Sequence, residues 1–432
     1  MLKRKFITTL EEWRRKGCEK AIIICGARQV GKTTIVREFA KRNYQHFVEI
    51  NFVRTPIAMQ AFEGELSSNV IFTNLSAMGF GPFYEGTTLV FFDEIQECPK
   101  ARTAIKFLVE EHRYDIIESG SLLGINYKSV PSYPVGFEEE HTLFPLDFEE
   151  FLWAKGITEE AVGIVRKAYH DRTPVPEFIH QQFYAYYRQY LVVGGMPEAV
   201  QRFVTSSDFG DTLKVQRSVM TSYRADITNY AARQATLVKR IFDAIPSELG
   251  RQDKRFILAN IERGASLRKY EDPTQWVVDA GLAYYSFNTS AFELPFEVTE
   301  NHRLYKLYLV DTGLLCCQSL PGMQFQVMNG EIDINEGALT ENSVACALIA
   351  NGHTLHYYDK KSKQELDFII AEGTKISILE VKSGDNYMRH ASLDAARRDW
   401  PEKIARSIVL CKGNLAVKDD ILYLPLYMAM FI

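Results

Sequence analysis

Short apolar runs separated by helical stretches dominate the first third of the chain. From Ala21 to about Phe148 the runs are AIIIC, HFVEINF (His46–Phe52), TLVFFDEI (Thr88–Ile95) and YDIIES (Tyr114–Ser119). Each is apolar at successive positions, the pattern of a strand covered on both faces. Strands of that kind joined by helices predict a parallel sheet in an α/β fold. Pro99 opens a stretch of alternating apolar and polar residues that runs to His112. It reads as a helix entered through proline, which a first helical turn tolerates. From about Ile157 to Tyr230 the pattern turns helical and tyrosine-rich, clearest in FYAYYRQYLVVGGMPEAV (Phe183–Val200). Its aromatic residues crowd together rather than alternate with basic ones, which suits helix packing better than base stacking. LVKRIFDAIPSELG, KRFILANIERG and SLRKYEDPTQWVVDAGLAYYSF then read as three short helices leading into an apolar hairpin. Beyond Asn301 the α/β pattern returns. An amphipathic helix covers Gly337–Gly352, and LHYYD, ELDFII and KISILEV read as strands, the last two joined by the turn AEGT. A helix, ASLDAARRDW, and a strand, ARSIVLC, follow.

These changes of pattern divide the 432 residues into an α/β region 1–155, a helical region 156–230, a region 231–300 whose helices and hairpin resemble a winged helix, and a second α/β region 301–432. Charge adds one feature. The chain carries 50 Lys and Arg against 55 Asp and Glu, a net charge of −5, so no global basic excess advertises nucleic acid. Between Leu213 and Tyr270, however, twelve cations face five acids, and this segment of +7 leaves −12 on the remainder. A surface of that kind would bind phosphates in a salt-sensitive way. The acidic remainder, GFEEEHTLFPLDFEE for example, fits protein contacts equally well. The opening MLKRKFITTLEEWRRKG is interrupted too often for a secretory leader, and no apolar run approaches the roughly 18–20 residues that cross a bilayer. A cytoplasmic protein without a membrane segment is the expectation. The seven cysteines form no C-x-x-C pair and read as small buried hydrophobes in a reducing compartment, and no His/Cys cluster has zinc spacing.

GARQVGKT (Gly26–Thr33) fits G-x-x-x-x-G-K-[ST] and lies between an apolar strand and a helix, where a phosphate-cradling loop must lie. Glycines let the backbone curl so that N–H groups point inward at phosphate oxygens, and the helix adds its positive end. Gly26, Ala27, Arg28, Gln29, Val30, Gly31, Lys32, Thr33 and Thr34 are therefore the candidate ATP-binding residues. Lys32 would meet the β- and γ-phosphates, and the Thr33 hydroxyl would ligate Mg²⁺. The strand TLVFFDE ends in Asp93, a second Mg²⁺ ligand through its water shell, and Glu94, a candidate general base. Ser119, at the end of the next strand, is a candidate contact for the γ-phosphate, or else a plain turn residue. Arg224, in TSYRADITNY, is weighed as a charge stabiliser supplied to a neighbouring subunit, against the more ordinary reading of a helix-surface arginine.

With these residues the chain resembles the prokaryotic AAA-type ATPases that carry a C-terminal nuclease-like domain. GARQVGKTT, FFDEIQECP, SGSLLG, LFPLDFEEFL, YLVVGGMPEAV, YRADI, LYLVDTGLL, GALTENSVACAL, ELDFII and LEVKSG run in order from about residue 20 to 385. The resemblance implies an AAA+ core over 1–155, a helical lid region over 156–230, a winged helix and a restriction-endonuclease-like C-terminal fold. One departure stands out. Glu118 and Ser119 precede Gly120 where the family usually has an aliphatic residue and threonine. In the C-terminal region Glu341 lies on a helix, Asp367 on one strand, and Glu380 and Lys382 on the next. Residues two apart on a strand share a face, so Glu380 and Lys382 project together and the AEGT turn brings Asp367 beside them. This looks like the PD-(D/E)xK layout, with Asp367 and Glu380 holding a metal near Glu341 and Lys382. Two functions follow. One is an Mg²⁺-dependent ATPase whose nucleotide state controls a winged helix and a nuclease-like domain acting on DNA. The other is a nucleotide-dependent switch or scaffold whose inert C-terminal domains bind protein partners. Monomer or homo-oligomer stays open.

Overall fold

The four apolar runs are strands of one parallel sheet. In the computed structural model, which describes residues 2–121, 134–319, 326, 336–360 and 364–432, they are β1 (Ala21–Cys25), β2 (His46–Asn51), β3 (Thr88–Asp93) and β4 (Asp115–Ser119). Every residue of β1 and β3 is buried, which is why neither shows a polar face. A fifth strand, β5 (Glu138–Thr142), completes the order β2-β3-β4-β1-β5, every neighbouring pair parallel. Its sequence EEEHT belongs to the acidic stretch that suggested protein contacts. Charge on an edge strand discourages pairing with a second sheet edge, and here it leaves no apolar run to mark the strand. Helices α1 (Phe6–Arg15), α2 (Lys32–Asn43), α3 (Ser68–Ala77) and α4 (Pro99–Glu110) belong to the same compact unit, which spans Arg4–Phe144. Pro99 takes the first helical position, where its missing N–H costs nothing.

The other unit takes Pro145–Val278 and Leu282–Ile432. It begins with α5 (Phe148–Ala154), whose start is fixed by a capping box: Asp147 accepts from the Glu150 N–H at 2.8 Å and Glu150 accepts from the Asp147 N–H at 3.3 Å. Helices α6 (Glu159–Asp171), α7 (Glu177–Val193), α8 (Pro197–Ser206), α9 (Phe209–Tyr230), α10 (Ala235–Leu249), α11 (Leu258–Ile261) and α12 (Leu267–Asp279) follow. The hairpin expected after the basic helices is present as β6 (Ala283–Thr289) and β7 (Glu300–Leu309). It does not stand apart as a wing. β6 pairs in parallel with β8 (His356–Asp359), so its outer backbone groups find partners there and the hairpin extends the C-terminal sheet. The division drawn after residue 300 falls just inside β7, so it separates the two strands of the hairpin. With β9 (Glu365–Glu372), β10 (Lys375–Lys382), β11 (Ile404–Cys411), β12 (Ala416–Lys418) and β13 (Ile421–Pro425) the sheet reaches eight strands, ordered β12-β13-β11-β10-β9-β8-β6-β7 and mixed in direction. Helices α13 (Thr312–Ser319), α14 (Glu336–Ala350) and α15 (Ala391–Asp399) complete the unit among the described residues. One sheet face packs Leu366, Ile369, Ile378, Val409 and Tyr423 against Leu393 and Ala396 of α15.

Two of the quoted motifs meet in a buried joint of this unit. The Asp311 carboxylate accepts from the backbone N–H of Gly195 at 2.6 Å and of Leu314 at 2.8 Å. A Cβ on Gly195 would stand 2.0 Å from the Leu146 carbonyl oxygen, so the backbones meet there only because the residue is glycine. All seven cysteines are free, five of them buried. No helix among the described residues is long and apolar enough to cross a membrane.

Candidate functional site

The chain leaves β1 at Cys25 and turns at once. Gly26 has φ +146° and a Cβ there would lie 2.4 Å from the Leu143 carbonyl oxygen. Gln29 at φ +66° and Gly31 at φ +96° complete a loop that ends as the cap of α2. Ala27, Arg28 and Val30 lie within that loop, and Thr33 and Thr34 in the first turn of the helix. Lys32 is buried, and its ammonium donates to the carbonyl oxygens of Gly26 and Ala27, both at 3.0 Å. Burial pulls its pKa below the usual lysine value, while the negative charge of Glu94 foremost, and of Asp93, opposes that shift.

Strand register brings the remaining groups to the same level. Asp93, the last residue of β3, is paired with Asn51 at the end of β2 and with Ser119 at the end of β4. All three therefore sit at the carboxyl ends of parallel strands, where ligands of open α/β sheets bind. Asp93 is 3% exposed, yet its carboxylate is well satisfied. It accepts from the Thr33 hydroxyl at 3.0 and 3.2 Å, from the Asn51 amide at 2.7 Å, and from the Ser119 hydroxyl. Thr33 and Asp93, sixty residues apart in sequence, thus offer two oxygen groups side by side, the donor chemistry Mg²⁺ prefers. Glu94 follows in the left-handed region at φ +56°, and its Oε2 accepts from the Gln96 amide at 2.5 Å. Asn51 and Gln96 are absent from the sequence reading. Their signal was a polar residue at the end of a parallel strand and a buried amide two positions after the candidate base. Leu122, Leu123 and Gly124, the end of SGSLLG, lie outside the described residues. Arg224, on α9, donates to Asp243 at 2.7 and 3.0 Å and is engaged within its own unit.

The C-terminal residues also come together, but not as a set of acids around an open position. Asp367 on β9 accepts from the Val381 N–H at 2.8 Å, and Glu380 pairs with Lys382 at 2.6 Å, both on β10. Glu341, fully buried on α14, is met by Lys254, by Lys306 at 3.3 Å and by the Tyr308 hydroxyl. Lys306, itself fully buried on β7, reaches Glu365 at 2.9 Å and Asp367 at 4.0 Å. Burial alone would raise the Glu341 carboxyl, but Lys254 and Lys306 bring it down to about 2. Burial, seconded by the charge of Glu341, pushes Asp367 up to about 6. Among the described residues no three His, Cys, Asp or Glu side chains form a group that could hold a metal ion. The expected ligands Asp367 and Glu380, with Glu341, do not fit a divalent ion as arranged, because two lysine ammonium groups already neutralise the pocket. Lys254, Lys306, Tyr308 and Glu365 were not foreseen. Six of the twelve cations between Leu213 and Tyr270 are likewise bound to acids: Lys214, Arg224, Arg240, Lys254, Arg255 and Lys269.

Residues 18–152 match the AAA domain family. The smaller unit, with its five parallel strands and phosphate loop, has an AAA-type ATPase-like fold. Residues 184–324 and 336–428 match two domains of unknown function, DUF8612 and DUF4143, and the second gives no support to a nuclease assignment. No curated relative matches the sequence. Among solved structures the chain is similar to the Walker-type ATPase PABY2304 of Pyrococcus abyssi at 13% identity and a TM-score of 0.43, over 74% of this chain and 96% of that one. The Aeropyrum pernix ORC1 protein, solved in complex with DNA, matches at 11% identity and a TM-score of 0.28, over 74% of this chain and 93% of that one.

Proposed function

We propose that the chain binds ATP with Mg²⁺ at Gly26–Thr34 and hydrolyses it. The observation that carries this reading is the convergence of Thr33, Asn51 and Ser119 on the Asp93 carboxylate, beside the buried Lys32. The loop N–H groups would take the phosphate oxygens, and the Lys32 ammonium would exchange the carbonyls of Gly26 and Ala27 for the β- and γ-phosphates. Thr33 and Asp93 would hold Mg²⁺, which when bound supplies charge neutralisation for the transferring phosphoryl group. Asn51 fixes the Asp93 carboxylate. Glu94, held through Gln96, takes the proton of the attacking water on its carboxylate. Ser119 stands where it can sense the γ-phosphate. Isothermal titration of the full chain with ATP and Mg²⁺ tests the reading: a binding isotherm in the wild type, lost in Lys32→Ala. Absence of wild-type heat rejects it.

For the C-terminal region the observations favour the switch or scaffold reading over cleavage of DNA. The PD-(D/E)xK reading is supported by the adjacency of Asp367, Glu380 and Lys382 on the β9–β10 hairpin. Against cleavage stand the two lysines inside the pocket and the ion pairs that engage six of the basic segment's twelve cations. A mobility-shift titration decides: DNA binding with a steep salt slope would restore the DNA reading, and no affinity at low salt would exclude it.

A further inference from the structure

We propose that Arg4, which stands 26 residues before Val30 in sequence, is a positioning residue that holds the phosphate loop in its phosphate-binding form. The inference rests on the reading that this loop takes the phosphates of ATP, and it names a group that sets how tightly they are held.

Arg4 lies just before α1 and is 8% exposed. Its guanidinium donates to the Val30 carbonyl oxygen at 3.0 Å and to the Phe144 carbonyl oxygen at 2.6 Å. Val30 belongs to the loop and Phe144 follows the end of β5, and all three residues belong to the smaller unit. The same stretch of chain meets the loop at its other end. The Leu143 N–H donates to the Cys25 carbonyl oxygen at 2.8 Å, and the Leu143 carbonyl oxygen lies 2.4 Å from where a Cβ on Gly26 would stand. Gly26 and Val30 are thus both seated on Leu143–Phe144, the first by backbone contact and the second through one arginine.

The effect of this brace follows from the geometry of one peptide group. The Val30 carbonyl and the Gly31 N–H share a trans peptide plane, so they point in opposite directions. Gln29 at φ +66° and Gly31 at φ +96° flank that plane with left-handed backbone, which curls successive N–H groups into a concave anion nest. With the carbonyl held toward Arg4, the Gly31 N–H is turned to the opposite side, where the loop would take a phosphate oxygen. Unheld, the plane is free to turn over and present its own oxygen, which repels a phosphate. A hydrogen bond from a charged donor is about twice as strong as a neutral one. The planar fork of a guanidinium also fixes direction, which a lysine at this position would not do for two carbonyls at once. ATP then meets donors already aligned and does not have to order them itself.

The experiment compares the full wild-type chain with Arg4→Met, which keeps an unbranched side chain and removes the charge and the donors. The readouts are steady-state hydrolysis, calorimetry with Mg²⁺ and ATP, thermal melts, and backbone amide exchange over residues 26–33 in the nucleotide-free chain. Loop N–H groups hold the phosphates in the ground state and the transition state alike. Arg4→Met should therefore raise KM and the dissociation constant roughly tenfold while kcat stays within about threefold of wild type. Exchange of the loop amides should quicken roughly tenfold at the same time. Arg4→Lys should fall between the two proteins. A residue needed only for folding would instead lower kcat through the active fraction and leave KM alone, and that split would overturn the proposal. So would loop exchange unchanged by Arg4→Met, or wild-type affinity in Arg4→Lys. A wild-type chain that shows no heat of ATP binding rejects the ATP reading, and the exchange measurement still decides whether Arg4 holds the loop. If the methionine variant does not melt cooperatively, Arg4→Lys takes its place with the same criteria.

Discussion

Replacing Glu118 with methionine is expected to stabilise the smaller unit, against the usual direction of core mutations. Glu118 lies on β4 opposite Phe92 of β3 and Ile23 of β1, with no exposed surface. Neither carboxylate oxygen has a hydrogen-bond partner. Arg102, the cation that could compensate it, instead donates to Glu138 at 2.9 Å. Burial first, and the Glu138 charge second, push the Glu118 carboxyl well above the usual carboxylate range, with Arg102 opposing. An unsatisfied buried polar group costs about 1–3 kcal/mol. Methionine has similar length and no such need, so the gain should be about that much, or roughly 3–9 °C in melting temperature. The pH dependence follows from the sign of the shift. A carboxyl whose folded pKa is raised binds its proton more tightly folded than unfolded. Wild-type stability therefore falls as pH rises from about 4.3, the unfolded value, until the folded pKa is reached, by up to about 1.4 kcal/mol per pH unit. The advantage of Glu118→Met should accordingly be larger at pH 8 than at pH 5. Glu118→Gln, which removes the charge but keeps a buried amide, should recover only the pH-dependent part. Scanning calorimetry of the three proteins at both pH values is the assay. A methionine variant that melts below wild type at pH 8, or a gap that narrows as pH rises, refutes the reasoning.

Three further outcomes test the site and the fold. Glu94→Gln should lower steady-state ATP turnover by about 10²–10⁴-fold while ATP affinity, read by calorimetry, stays within about threefold of wild type. Asn51→Ala removes a 2.7 Å hydrogen bond to Asp93 and should weaken Mg²⁺-ATP binding roughly tenfold, with less effect on ATP measured in excess chelator. Gly195→Ala forces a Cβ to within 2.0 Å of the Leu146 carbonyl oxygen, a backbone atom that cannot step aside. It should cost about 3 kcal/mol or more, seen as an earlier calorimetric transition, and a variant as stable as wild type would show that the joint is looser than its geometry.

Much of the smaller unit was legible because its chemistry is local. A phosphate loop needs glycines at fixed offsets and a strand before it, so GARQVGKT announces itself. Buried parallel strands are apolar at every position, so AIIIC and TLVFF announce themselves too. The two acids that follow TLVFF are read from position alone. β5 was missed because an edge strand needs no apolar run, and EEEHT carries the charges that keep such an edge from pairing. Asn51 was missed for a different reason. Its role depends on register, which sets it level with Asp93 in the neighbouring strand, and no spacing within one strand encodes that.

The larger unit shows the same limit more sharply, because its decisive pairings are long-range. Asp367, Glu380 and Lys382 were legible through a hairpin with a four-residue turn, and β9 and β10 do pair there. The cations that decide what those acids can hold come from elsewhere. Lys306 lies 35 residues before Glu341 and Lys254 lies 87 before it. In sequence Lys254 belonged to a basic segment that suggested a phosphate-binding surface, and Lys306 stood near the start of the second α/β region with no motif to mark it. Counting charges along a chain treats each cation as exposed and free. Folding spends several of them on buried carboxylates, whose desolvation would otherwise be uncompensated. A basic stretch therefore argues for a polyanion only in proportion to the cations left over. By the same reasoning an acid-x-lysine pair argues for a metal only where no lysine from a distant strand has already supplied the charge.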